Sequence, residues 1–185
     1  MARQVFTYDP PERFVVGTVG EPGQRTFYLQ ARAGSASTSV ALEKQQVLVL
    51  AERVEELLDE VLRRSAGTAP VPAVAPADLV DLQPLEAPVT EEFRVGAMSL
   101  AWEPETERVV IEAGAVTGEE DVDLDDDENG PDILRVCLTG AAARAFVKRA
   151  LAVVSAGRPP CPFCELPLEP EGHICPRQNG YRRRA

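Results

Sequence analysis

Histidine is almost absent from this chain: His173 is the only one among 185 residues. That removes most arrangements in which an imidazole serves as base beside a Ser or Cys nucleophile. Cysteine is scarce as well, with four in all. No apolar run approaches the roughly 18–20 residues needed to cross a bilayer. The opening residues, Met1-Ala2-Arg3-Gln4-Val5-Phe6, lack the basic-then-apolar pattern of an export signal. The expected location is the cytoplasm, where thiols stay reduced and clustered cysteines favour metal or redox chemistry over disulfides. Gly17, Gly20 and Gly23 are followed by no Lys-Ser/Thr and lead into a strand, so they read as hairpin glycines and not as a phosphate loop.

The charge that is present is unevenly placed. The net value is −11, yet Glu119–Glu128 alone holds eight acids and no base. Without those eight the balance would be −3. An acidic body repels phosphate backbones and disfavours nucleic acid as a partner. The last nine residues run the other way, with Arg177, Arg182, Arg183 and Arg184. This basic end is the expected contact element for a protein partner.

The scarce residues are also clustered. Cys161, Cys164, His173 and Cys175 fall within fifteen residues. A C-x2-C pair grips one ion from a tight turn, and zinc prefers thiolate and imidazole ligands in a tetrahedron. Four ligands from one chain leave no open position, so the expected cofactor is structural Zn2+. The segment from Pro160 to Tyr181 has few apolar residues and could hardly fold on its own core. Zinc binding, worth about 10–16 kcal/mol in small metal-folded peptides, would supply the missing stability. A redox C-x2-C pair and a metal-free thiol tail remain as alternatives. The fourth cysteine, Cys137, sits between Val136 and Leu138 and reads as a buried core thiol.

Elsewhere the periodicity gives β-β-β-α twice, an α+β fold class. Phe14-Val15-Val16-Gly17 and Phe93-Arg94-Val95-Gly96 open matching hairpins, which continue through Arg25–Ala31 and Arg108–Ala113. Third strands follow at Thr38–Leu42 and Ile133–Leu138, and each runs into an amphipathic helix. Val47, Leu50, Ala51, Val54, Leu57, Leu58 and Val61 form the first stripe. Phe146, Val147, Ala150, Val153 and Val154 form the second, behind Thr139 as N-cap. A short strand is expected at Gln4–Tyr8. The expected domains are a first half at 1–65, a Pro/Ala-rich linker at 66–90, a second half at 91–157 and a zinc-binding tail at 158–185. The two halves are expected to share a core as an internal duplication, against the alternative that strand-like motifs recur by chance. The linker is expected to be mobile up to Pro76, with Leu79, Leu82 and Leu85 lying on the body. The acidic loop 117–130 contains Asp125-x-Asp127-x-Asn129-Gly130, but Val136 stands where a calcium loop needs Glu. It reads as solvated, with a weak cation site as the alternative.

The chain resembles an uncharacterised actinobacterial family, domain of unknown function 3090. The resemblance rests on Tyr8-Asp9-Pro10-Pro11 with Arg13-Phe14-Val15, on Gly17-Thr18-Val19-Gly20, on Arg25–Ala31, on Phe93–Gly96, and on the tail from Cys161 through Gly172-His173-x-Cys175-Pro176-Arg177 to Arg183. The family implies no established activity. It does imply neighbouring genes for a histidine-phosphatase-like and a lipid-kinase-like protein.

No pair among the many carboxylates stands out as catalytic, so no catalytic residue is assigned. The expected role is that of a non-catalytic binding or adaptor protein. One alternative is single-stranded nucleic-acid binding, with Phe27, Tyr28 and Trp102 as stacking surfaces and the arginines near the hairpins as phosphate contacts. Another is an enzyme acting with a phosphatase or kinase-type partner.

Overall fold

The strand-like runs of the sequence form a sheet, and the two apolar stripes form helices. In the computed structural model the described residues are 3–21, 23–117, 130–157, 161–164 and 175. The strands are β1 (Val5–Tyr8), β2 (Arg13–Val19), β3 (Thr26–Ala33), β4 (Ala36–Leu42), β5 (Glu91–Glu103), β6 (Arg108–Ala115) and β7 (Ile133–Thr139). Helix α1 (Lys44–Arg64) follows β4, and α2 (Gly140–Ser155) follows β7. A 3-10 turn at Ala77–Leu79 lies between the halves.

Both helices start where side chains satisfy the free backbone N–H groups of a first turn. Glu43 and Gln46 form a reciprocal capping box at α1, in which the Glu43 N–H donates to Gln46 Oε1 at 2.8 Å. At α2 the Thr139 hydroxyl accepts from the Ala142 N–H at 3.1 Å. The far end of α2 is closed by Arg25, whose guanidinium donates to the carbonyls of Val153 and Ala156. A cation there also suits the negative end of the helix dipole.

The sheet order is β1-β7-β6-β5-β4-β3-β2. Each β-β-β group is antiparallel within itself, and the two join where β4 runs parallel to β5. The parallel join requires a crossover, which α1 and the following segment provide. Strand β1 then lies parallel to β7, the relation that β5 bears to β4. The second group thus continues the first head to tail.

This sheet cannot be flat. Seven strands at about 4.8 Å spacing would put β1 and β2 roughly 29 Å apart. The chain from Tyr8 to Arg13 reaches at most about 18 Å. The sheet therefore curls until β1 touches β3, and Tyr8 Oη meets Thr38 Oγ1 of β4 at 2.8 Å inside the curve. Helix α2 occupies the gap, contacting β2 on one side and β7 on the other. The core lies on the concave face. Val16, Leu29, Val40, Ile111 and Val136 of the sheet meet Val47, Val54 and Leu58 of α1 and Phe146 of α2. Phe14 and Phe146 stack with ring centroids 4.8 Å apart. Each such side chain contributes about 1.5–3 kcal/mol on burial.

The segment between the halves is held more firmly than its composition suggests. Val71 is buried where it packs on Gly140, and Arg144 of α2 donates to the Pro72 carbonyl at 3.1 Å while also bonding Asp59 of α1. Mobility up to Pro76, expected from the prolines, thus gives way to anchoring by a buried arginine. Farther on, Leu85 crosses β2 at Gly17, where a Cβ would lie 2.5 Å from its Cγ. That close approach requires glycine. Gln30 holds Glu86 through both its backbone N–H and its carbonyl.

Candidate metal centre

Cys161 opens a turn through Pro162, Phe163 and Cys164 soon after α2 ends. The turn brings the two sulfurs of the C-x2-C pair together, and Cys175 joins them from later in the chain. The three Sγ atoms lie within 4.8 Å of one another, and Cys161 Sγ is 3.8 Å from Cys175 Sγ. Two thiolates bound to one zinc at about 2.3 Å in a tetrahedron stand roughly 3.8 Å apart. A disulfide would need about 2.05 Å. All four described cysteines are free thiols, and the spacing of these three fits a metal and not a bridge.

The surroundings favour the ligand form of the thiol. Cys161 and Cys175 are buried and Cys164 is half-buried. Desolvation pushes the Cys161 thiol up, but the N–H groups of Phe163 and Cys164, followed by the neighbouring thiols, outweigh it and bring it below its ordinary value. N–H donors at that sulfur stabilise the thiolate that a metal requires. Phe163 is 52% exposed, so the turn draws little support from apolar burial. A metal here would link the Cys161–Cys164 turn to Cys175.

Of the ligands expected from the sequence, Cys161, Cys164 and Cys175 come together. His173 and the arginines Arg177, Arg182, Arg183 and Arg184 lie outside the described residues, as does the Asp125–Asn129 motif. Cys137 is buried in mid-β7, as its apolar neighbours suggested, but on the opposite sheet face from the core residues Val136 and Leu138. Desolvation, with Asp9 and Glu103 nearby, raises its thiol above the usual range, which suits an inert cysteine. Trp102 packs partly buried against the core, in line with a packing role. Phe27 is 5% exposed, with the Arg25 guanidinium 5.0 Å above its ring. Phe27 itself therefore offers no open face for a stacked base, while Tyr28 is half-buried.

Sequence reasoning missed a polar cluster in the body. Arg149 of α2 is 7% exposed and donates to the Val16 carbonyl of edge strand β2 at 2.7 Å. It also bonds the carbonyls of Asp81 and Gln83 and the Asp81 carboxylate. Arg13 reaches the same carboxylate at 2.6 Å. Its hydrogen bond, with the charges of Arg13 and Arg149, holds the Asp81 carboxyl below the usual range against the cost of desolvation. The cluster fastens the inter-half segment to both edge strand and helix. The signal was available: Arg144 and Arg149 interrupt the apolar stripe of α2, and an arginine on a buried face needs partners.

The family described as protein of unknown function, DUF3090, matches residues 6–175. The chain belongs to that family. No curated protein and no solved structure matches it.

Proposed function

We propose that the three cysteines and His173 hold one structural zinc ion, and that the protein is a non-catalytic binding or adaptor protein in the cytoplasm. The observation that carries the metal reading is the 3.8 Å separation of Cys161 and Cys175 sulfurs within a three-thiol cluster. His173, two residues before Cys175, is the single imidazole that the sequence supplies. With four protein ligands the ion would have no site for substrate or water, so its work would be structural. The ion would fix the path of the chain on either side of Cys175. Arg177, Arg182, Arg183 and Arg184 follow directly, and they are the proposed contacts for an acidic surface on a protein partner.

The test joins metal to partner. Tagged full-length protein from the native host is compared with Cys161→Ser and with a variant carrying alanine at the four arginines. A partner retained by the intact chain and lost from both variants is the expected result. A partner set unchanged by both variants would refute the adaptor reading, whatever the metal content.

A further inference from the structure

The body carries a second candidate site, unrelated to the thiols. A cavity of about 500 Å3 opens between the N-terminus of α1, the C-terminus of α2 and the start of β3. Its volume falls in the range of small-molecule sites. Its charge is opposite to that of the protein. Arg25, Lys44 and Arg94 line it with one carboxylate, Glu43, in a chain of 30 acids and 19 bases.

The cations are differently occupied. Arg25 is fixed by the Val153 and Ala156 carbonyls and by the Phe27 ring, so its position is set in advance. Arg94 pairs with Glu43 at 2.9 Å across an exposed surface. Such a pair is worth little, and a more highly charged anion competes with it readily. Lys44 has no ion-pair partner among the described residues, and it stands in the first turn of α1, the positive end of the helix dipole. The rest of the lining is mixed, with Thr26 and Ser155 beside the largely buried Leu42 and Val154.

We propose that this cavity binds a small organic phosphate, with the phosphate on Lys44 and Arg94 and the organic part toward Thr26, Leu42 and Val154. Two cations with a pre-positioned third suit a dianionic group, and a cavity of about 500 Å3 leaves room for an organic part beyond the phosphate. The ligand is held non-covalently, and no reaction is assigned to the site.

The full-length protein is titrated with inorganic phosphate, glucose 6-phosphate and 5′-AMP while backbone amide shifts are followed by NMR. Saturable shifts at Thr26, Phe27, Lys44 and Arg94 are expected, with at least one organic phosphate binding more tightly than inorganic phosphate. Lys44→Ala should weaken that binding about tenfold or more, the scale of one charge-assisted contact. Arg94→Gln should do the same, and Lys148→Ala on the exposed face of α2 should leave it unchanged. Lys44 is exposed, so its loss should not unfold the chain. Absence of saturable shifts with all three probes would overturn the proposal. So would shifts that neither Lys44→Ala nor Arg94→Gln reduces, or equal affinity for all three probes.

Discussion

The curled sheet and the cysteine turn solve the same problem with different means. In the body, apolar side chains on both helices meet the concave face, and polar groups serve to fasten what the core does not reach. Arg144 and Arg149 are the plainest case: each is buried, and each ties the inter-half segment to the body through carbonyls and a carboxylate. In the turn at Cys161–Cys164 the buried groups are sulfurs, and the aromatic ring faces solvent. Solvent exclusion holds the body; for Cys161, Cys164 and Cys175 the proposed source of stability is coordination.

Metal removal should separate the two regions most sharply. Chelation under reducing conditions should withdraw about 10–16 kcal/mol of binding energy from the tail, by analogy with small zinc-folded segments. Proteolysis after residue 157 should then become fast, while the thermal transition of the body stays nearly fixed. A body that melts together with the tail would erase the distinction.

Within the body, breaking the arginine cluster should be the most costly single change. Asp81→Ala leaves Arg149 buried with carbonyls but no carboxylate, and should cost about 3–5 kcal/mol in denaturant unfolding. Leu58→Ala on the buried stripe of α1 should cost about 2–5 kcal/mol. Neither should alter metal content. Equal sensitivity of metal retention to Asp81→Ala would mean that tail and body are one cooperative unit.

The same cluster predicts a pH dependence. The Asp81 carboxyl is held below its unfolded value, so its contribution is present above the unfolded range and is lost as pH falls through the folded value. Unfolding measured between neutral and acid pH should show a loss on the acid side of the ordinary carboxylate range, and Asp81→Asn should flatten that part of the curve. The smallest effect is expected at the α2 cap. Thr139→Ala removes the acceptor for the Ala142 N–H and should cost about 1 kcal/mol.

Much of the body was legible in the sequence because its signals are local. Hairpin runs, the Thr139 cap and both helical stripes are set by residues a few positions apart, and they stand where the periodicity put them. Gly20 and Gly23 have φ of +103° and +98°, the left-handed backbone that a hairpin turn asks of glycine. The curl of the sheet was not legible, since it follows from the pairing of β1 with β7, a contact across more than a hundred residues. The fixing of Pro72 and Asp81 by α2 escaped for the same reason: prolines report local stiffness, and the arginines that hold the segment lie some seventy residues away. Cys161 and Cys164 could be read together because C-x2-C spacing itself creates proximity, and Cys175 was added to them as a metal ligand.

Metal content is the most direct measurement. Reduced, untagged full-length protein should carry about one zinc per chain by elemental analysis, and Cys161→Ser should lose it while Cys137→Ala keeps it. Zinc far below one equivalent in the intact chain, or equal zinc in intact and Cys161→Ser protein, would contradict the account.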